Sequence, residues 1–395
     1  MKTKYTYIFL RLDVIIAFII ILLFTACEKV ETKHLSEKQK ALIRTIPKIS
    51  LIAHRGSCVW APENTEAAMR WARNAGADYL ECDLQRTADG YLVLYHDKTL
   101  STKSNVHILY PHLQAPQIKD FTLEELFQLD FGSWFNQKHK QYARTSFSGL
   151  EILTLEDLIK IAEGNKIKRD QHNKRIYRKS GDKIITEYEK DPHDNGNRPG
   201  IYPEIKYPDI YPSIENDLKS ELERLEWFAY DKSKLKYIHT KQRHVGTANT
   251  QARVIVQTFS TSTLQKLNEV FSGEIPTCLL LSASGQVDSK TYKNWINNAI
   301  NNNASIIAPS ISSDKPYNFT DLLQPWMYDL IKESGLLIHA YVFQNEKQIS
   351  NYKDLADGYF CDQIDIAIKY FLKNQQIISN TVTKNGAEWL NEIGY

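Results

Sequence analysis

Glycine is scarce in this chain, 16 in 395 residues, while tyrosine is plentiful at 22, and neither count suggests low complexity. An excess of one charge is also missing. The 49 Lys and Arg nearly balance the 47 Asp and Glu, giving a net charge of +2, which argues against a nucleic-acid-binding surface. No apolar run is long enough for an ordinary membrane span. The run from Val14 to Phe24 falls short of the roughly 20 residues a bilayer requires. Cysteines are few, and the spacing of Cys27, Cys58, Cys82, Cys278 and Cys361 matches no zinc pattern. A disulfide is allowed in an exported chain, but free buried cysteine is the expectation.

The apolar fraction, 42%, is enough for a sizeable core. A chain of this length accommodates two or three average domains, or one α/β barrel of about 250 residues with insertions. The first residues read as an export signal. Lys2, Lys4 and Arg11 precede the short apolar run, and Leu23-Phe24-Thr25-Ala26-Cys27 resembles a bacterial lipobox. This predicts a signal peptide over 1–26, lipidation of Cys27 as the mature N-terminus, and a polar tether over 27–46. The expected location is the cell envelope, lipid-anchored on a periplasmic or outer-membrane face. Soluble secretion and an uncleaved anchor are the alternatives.

From residue 48 onward strands and helices alternate, as in an α/β sheet or barrel. Strands are expected at 48–54, 79–85, 92–96, 201–206, 253–259, 275–281, 304–309, 336–343 and 358–361. Helices fit between most of them, including 65–75, 155–162, 213–229 and 292–302. Thr87-Ala88-Asp89-Gly90 is a tight-turn signal, too short for a parallel crossover, so 79–85 and 92–96 form an antiparallel hairpin. Folding about Ala88-Asp89 sets His96 roughly opposite Glu81. Discounting the hairpin's second strand leaves eight, the number a closed barrel needs. Residues 165–200 have the polar composition of an insertion: a substrate- or membrane-facing basic loop, or a solvated surface excursion. Residues 376–395 read as a peripheral tail.

The chemistry gathers between Ile52 and Asp97. Glu81 and Asp83 lie two apart on a largely apolar strand, so they share a face. Buried like charges need compensation, and a hard divalent cation with oxygen ligands supplies it. Glu204, between Pro203 and Ile205 in a later strand, meets the same test. Three carboxylates suit Mg²⁺ or Ca²⁺ rather than zinc. His54 and His96 end predicted strands, and a histidine pair can serve as general acid and base near neutral pH. Arg55 and Lys206 add fixed positive charge suited to a phosphate. Together these residues describe a phosphoester-cleaving site.

Several motifs occur here in order. They are His54-Arg55-Gly56, Pro62-Glu63-Asn64-Thr65, Gly76-Ala77-Asp78-Tyr79-Leu80-Glu81-Cys82-Asp83, Thr87-Ala88-Asp89-Gly90 and His96-Asp97, followed by Gly132-Ser133-Trp134-Phe135, Leu153-Thr154-Leu155-Glu156-Asp157, Tyr202-Pro203-Glu204-Ile205-Lys206 and Asp357-Gly358-Tyr359-Phe360-Cys361-Asp362. In these the chain resembles the glycerophosphodiester phosphodiesterase family over about residues 48–372. The resemblance implies a distorted TIM-type (β/α)8 barrel over 47–375, with the 165–200 insertion before the Glu204 strand. It implies metal-dependent hydrolysis of a glycerophosphodiester to glycerol 3-phosphate and an alcohol. His54 and His96 become the acid/base pair, Glu81, Asp83 and Glu204 the metal ligands, and Arg55 and Lys206 the phosphate contacts. Glu63 lies near the site in the family pattern, and Asn64 ties down its loop. Where the family often carries Trp-Thr-Val-Asn, this chain has Tyr341-Val342-Phe343-Gln344, and Tyr341 offers an aromatic wall to the substrate. A phospholipase D- or C-like activity on lysophospholipids or phosphoinositides is the enzymatic alternative, and a non-catalytic binding barrel the alternative from another class.

Overall fold

The computed structural model describes residues 33–238, 251–313, 317–376 and 384–395. The predicted signal peptide and Cys27 lie outside the described residues. Thirteen strands are named among those described: β1 (Ser50–Ala53), β2 (Tyr79–Arg86), β3 (Leu92–Leu94), β4 (Asn165–Ile167), β5 (Tyr177–Ser180), β6 (Lys183–Thr186) and β7 (Tyr188–Lys190), then β8 (Gly200–Ile205), β9 (Val256–Thr258), β10 (Thr277–Leu281), β11 (Ile306–Pro309), β12 (Leu337–Phe343) and β13 (Gly358–Cys361). Eight of them run parallel in the order β1, β2, β8, β9, β10, β11, β12, β13, and β13 returns to β1, closing a barrel.

The strands are short apolar runs because both of their faces are covered. Inward residues such as Ile52, Tyr79, Tyr202, Ile255, Leu280 and Phe360 fill the lumen as one cluster. Alternate residues, among them Leu80, Cys82, Leu279 and Ala340, face the surrounding helices. Helix starts follow the capping residues: the Thr65 and Ser260 side chains accept from Ala68 N and Thr263 N, and Thr154 pairs reciprocally with Asp157. β3 is the antiparallel exception, with Leu84 opposite Leu94 on the hairpin. Continued along the hairpin, that register sets His96 level with Cys82, one residue from the expected Glu81. Residues 93–152 then bury a small core of their own, including Phe121, Phe127, Phe131 and Ile152. The described cysteines, Cys58, Cys82, Cys278 and Cys361, are free, and the last three are buried.

One expectation is sharpened and one is corrected. The segment 165–200 is a surface excursion, with residues 170–174 and 178–183 exposed, but it is folded and anchored at its base. β4 pairs with β7 and β5 with β6, and buried Arg175 reaches Asp157 at 2.7 Å while Asp191 takes a hydrogen bond from Arg70 Nε at 2.7 Å. Ion pairs to helices Glu66–Ala75 and Leu155–Ala162 clamp it to the outside of the barrel. Part of its polar content is spent on these buried pairs, and the rest faces solvent. The described C-terminal residues, 384–395, are not the peripheral tail expected. Helix Gly386–Glu392 buries Trp389 and Leu390, and Gly386 O accepts from Trp71 Nε1 at 3.0 Å. A Cβ on Gly386 would lie 2.0 Å from the Trp60 ring, so only glycine admits this approach.

Candidate active site

Barrel register assembles the carboxylates. Asp83 on β2 lies beside Glu204 on β8, which in turn lies beside Gln257 on β9. Glu81, two residues before Asp83, shares its inward face. Oxygen atoms of Glu81, Asp83 and Glu204 fall within 4.8 Å of one another, and all three residues are buried. Burial and the Asp83 charge push the Glu81 carboxyl well up. Glu204 is also raised, by burial and Asp83, with Lys206 opposing. Asp83 goes the other way, because His96, Arg55 and Lys206 together outweigh the cost of its burial. Two crowded carboxyls held toward protonation beside an ionised one form an all-oxygen donor set, which fits a hard divalent cation.

The cationic groups surround this set. Lys206 Nζ lies 2.8 Å from Glu204 Oε1 and 3.9 Å from Asp83 Oδ1. Arg55 donates its backbone N–H to Glu81 Oε2 at 2.7 Å, points Nε at Asp83 Oδ2 at 3.4 Å, and spans both Glu63 oxygens at 3.2 Å. The turn that carries Arg55 is left-handed through Arg55, Gly56 and Ser57, with φ of 51°, 79° and 68°. At Gly56 a Cβ would meet Ala68 Cβ at 2.8 Å, so glycine lets helix Glu66–Ala75 press against the turn.

The two histidines are held by carboxylates. His54 Nδ1 lies 2.6 Å from Asp362 Oδ1, at the end of β13. His96 Nδ1 lies 2.8 Å from Asp97 Oδ1, and Lys103 bridges Asp97 (2.9 Å) and Glu63 (2.8 Å). Burial and the Arg55 charge lower the His96 imidazole, with Asp83 partly offsetting them. A histidine of lowered pKa is neutral near pH 7 and able to accept a proton.

All the proposed site residues within the described chain converge on this end of the barrel, though not equally. Tyr341 sits in the lumen wall, its hydroxyl donating to Leu281 O at 2.5 Å and its ring edge-on to Phe259 and Phe319. Asn64 does more than tie a loop: its amide donates to Asp83 Oδ2 at 2.9 Å. Residues left without a role by sequence reasoning are Asp362, Lys103 and Gln257, which donates to Glu81 Oε1 at 2.9 Å. A lone amide inside Val254-Ile255-Val256-Gln257 was the available signal for Gln257. For Asp362 the signals were its place at the end of a late strand and at the end of the motif running from Asp357.

The glycerophosphoryl diester phosphodiesterase family model matches residues 54–190. The chain is 27% identical over 319 residues to the glycerophosphodiester phosphodiesterase of Bacillus subtilis (strain 168), spanning 81% of this chain and 85% of that one. Over residues 54–190 the chain is similar to the glycerophosphoryl diester phosphodiesterase family. Shorter stretches match other relatives more closely: 40% over 114 residues for the glycerophosphodiester phosphodiesterase of Caldanaerobacter subterraneus, 29% of this chain and 40% of that one. The mouse glycerophosphoinositol inositolphosphodiesterase is 34% identical over 124 residues, 29% of this chain and 23% of that one. In fold, the chain is similar to the glycerophosphodiester phosphodiesterase of Agrobacterium tumefaciens, with a TM-score of 0.51 at 20% identity over 82% of this chain and 100% of that one. An Oleispira antarctica phosphodiesterase, solved in complex with the product sn-glycerol-3-phosphate, gives 0.52 at 19% identity over 84% and 98%. In this chain the matched segment carries His54, Arg55, Glu63, Glu81, Asp83 and His96, while Glu204, Lys206 and Asp362 lie on or just after later barrel strands.

Proposed function

We propose that this protein hydrolyses glycerophosphodiesters to glycerol 3-phosphate and an alcohol, with a divalent cation and a histidine pair. The observation that carries the reading is the buried Glu81, Asp83 and Glu204 cluster flanked by Arg55, Lys206, His54 and His96 at one end of the barrel. The names of the relatives support the same chemistry. Glu81, Asp83 and Glu204 hold the cation, Ca²⁺ or Mg²⁺, which when bound neutralises phosphate charge as a Lewis acid.

The chain's own groups do the rest. Arg55 and Lys206 grip the phosphodiester oxygens. Glu63 orients Arg55 through two contacts, and Lys103 in turn braces Glu63. One histidine accepts a proton from the attacking hydroxyl, and the other donates one to the leaving alkoxide. Asp362 and Asp97 fix the ring orientations of His54 and His96 and stabilise the imidazolium when either is charged. Tyr341, with Phe259 and Phe319, lines the aromatic side on which the substrate's organic part rests.

The test is hydrolysis of glycerophosphocholine, glycerophosphoethanolamine and glycerophosphoinositol with and without EDTA, restoring Ca²⁺ or Mg²⁺. Activity that survives EDTA would sink the metal assignment. The mouse relative's name motivates one product check on glycerophosphoinositol, where inositol phosphate instead of glycerol 3-phosphate means that the other P–O bond breaks. We also propose lipid anchoring through Cys27 in the envelope, a reading supported by the lipobox-like Leu23 to Cys27 run.

A further inference from the structure

Beside the carboxylate cluster lies a second group of ligand atoms of different character. Cys58 follows the His54-Arg55-Gly56-Ser57 turn, is half-buried, and sets Sγ 3.3 Å from Asp362 Oδ1. The same oxygen lies 2.6 Å from His54 Nδ1 and 3.4 Å from the Tyr317 hydroxyl. Ligand atoms of His54, Cys58 and Asp362 all fall within 4.8 Å of one another. One imidazole, one thiol and one carboxylate make a nitrogen and sulfur set of the kind zinc selects, in contrast to the all-oxygen set nearby.

We infer that His54, Cys58 and Asp362 form a second cation site, selective for Zn²⁺ or a similar thiophilic divalent ion, whose occupation removes His54 from catalysis. Zinc–ligand bonds of about 2.0–2.3 Å at tetrahedral angles set ligand atoms roughly 3.3–3.7 Å apart. The sulfur-to-oxygen separation already meets this, and His54 and Asp362 need to part by only about 1 Å. Binding then breaks the His54–Asp362 hydrogen bond. The thiol proton goes to water, and the ring proton moves from Nδ1 to Nε2, so neither ring nitrogen can accept a proton. The site is thus an inhibitory one, independent of the cation that Glu81, Asp83 and Glu204 hold. It rests on the proposed role of His54 for its effect on rate, but not for the binding itself.

The experiment uses the full chain and the variants Cys58→Ser, Cys58→Ala and Glu81→Gln. Zn²⁺ is titrated against glycerophosphocholine hydrolysis in saturating Ca²⁺ or Mg²⁺, each variant scaled to its own zinc-free rate. Co²⁺ binding is followed in parallel by the thiolate-to-cobalt charge-transfer band in the near ultraviolet. The expected result is micromolar inhibition of the native chain, weakened at least tenfold in both Cys58 variants. The cobalt band should appear in the native chain and in Glu81→Gln and vanish in both Cys58 variants. Equal zinc sensitivity with and without Cys58 overturns the site, assigning the inhibition to the carboxylate cluster. Absence of the cobalt band in the native chain also overturns it. Should the native chain hydrolyse no glycerophosphodiester at all, the functional reading fails while the cobalt measurement still decides the site.

Discussion

His54 and His96 depend on different supports, and single substitutions separate them. His54 is buried and hydrogen-bonded to Asp362, which comes from the opposite end of the chain. His54→Ala and His96→Ala are each expected to lower kcat by about 10²–10⁴-fold, the usual weight of one general acid or base. Asp362→Asn leaves the ring in place but withdraws the charge that stabilises an imidazolium. It should lower kcat with KM little changed and shift the pH–rate profile; a change in KM alone would argue against a positioning role. A third histidine, His339, bears on the pH dependence of stability instead. It is fully buried in the barrel, where desolvation pulls its pKa down to about 3, and its Nδ1 meets the Tyr202 hydroxyl at 3.2 Å. Unfolded, it takes up a proton near pH 6.5; folded, it does not. Folding therefore displaces no proton from it above that pH, and stability is lost progressively as pH falls from 6.5 toward 3, by about 1.4 kcal/mol per unit. Urea unfolding between pH 4.5 and 6 should show a steeper pH slope for the native chain than for His339→Leu. Parallel slopes would mean that the acid sensitivity lies elsewhere.

Elements differ in how far the sequence announced them. Each of the eight barrel strands is a short apolar run between polar loops, and each one overlaps its expected range. Glu81, Asp83 and Glu204 stood out because a carboxylate inside such a run has no bland explanation. What could not be read was long-range pairing. Asp362 finds His54 across 308 positions, and the motif that ends in Asp362 does not say so. The 165–200 segment looked solvated because its charges are numerous, yet Arg175, Asp191 and Arg198 are buried against partners supplied mainly by other elements. The C-terminal helix was missed for a related reason: its one diagnostic residue, Gly386, is required by Trp60, more than 300 positions earlier. Gly386→Ala forces overpacking there and should destabilise the fold by about 1–3 kcal/mol. A lower urea midpoint with an unchanged m-value is the expected reading, while an unchanged midpoint would show that the helix can leave its seat at no cost.

At the scale of the whole molecule, the two ends of the barrel face different tasks. Helix Glu37–Ile43 lies where the outer helices return to the strands. Lys38 reaches Ser272 O at 2.7 Å, and Gln39 reaches Ile300 O at 3.3 Å and Ala304 O at 2.8 Å. These carbonyls precede β10 and β11, at the N-terminal ends of the strands. The candidate active site lies at the opposite, C-terminal ends. Only five residues lie between Cys27 and Lys33, a reach of about 20 Å even when fully extended. A lipid on Cys27 would therefore hold the barrel by the face away from its mouth, with the site turned toward solvent. Such an orientation favours a water-soluble diester over a lipid in the anchoring bilayer. Cys27→Ala should abolish lipid labelling and release the protein from membranes, while kcat/KM on glycerophosphocholine stays within about twofold. Lysophosphatidylcholine in the same vesicles should be hydrolysed no faster by the anchored form than by the released one. A tenfold advantage for the anchored form on that lipid would instead mean that the mouth meets the membrane, and the phospholipase-like reading would take precedence.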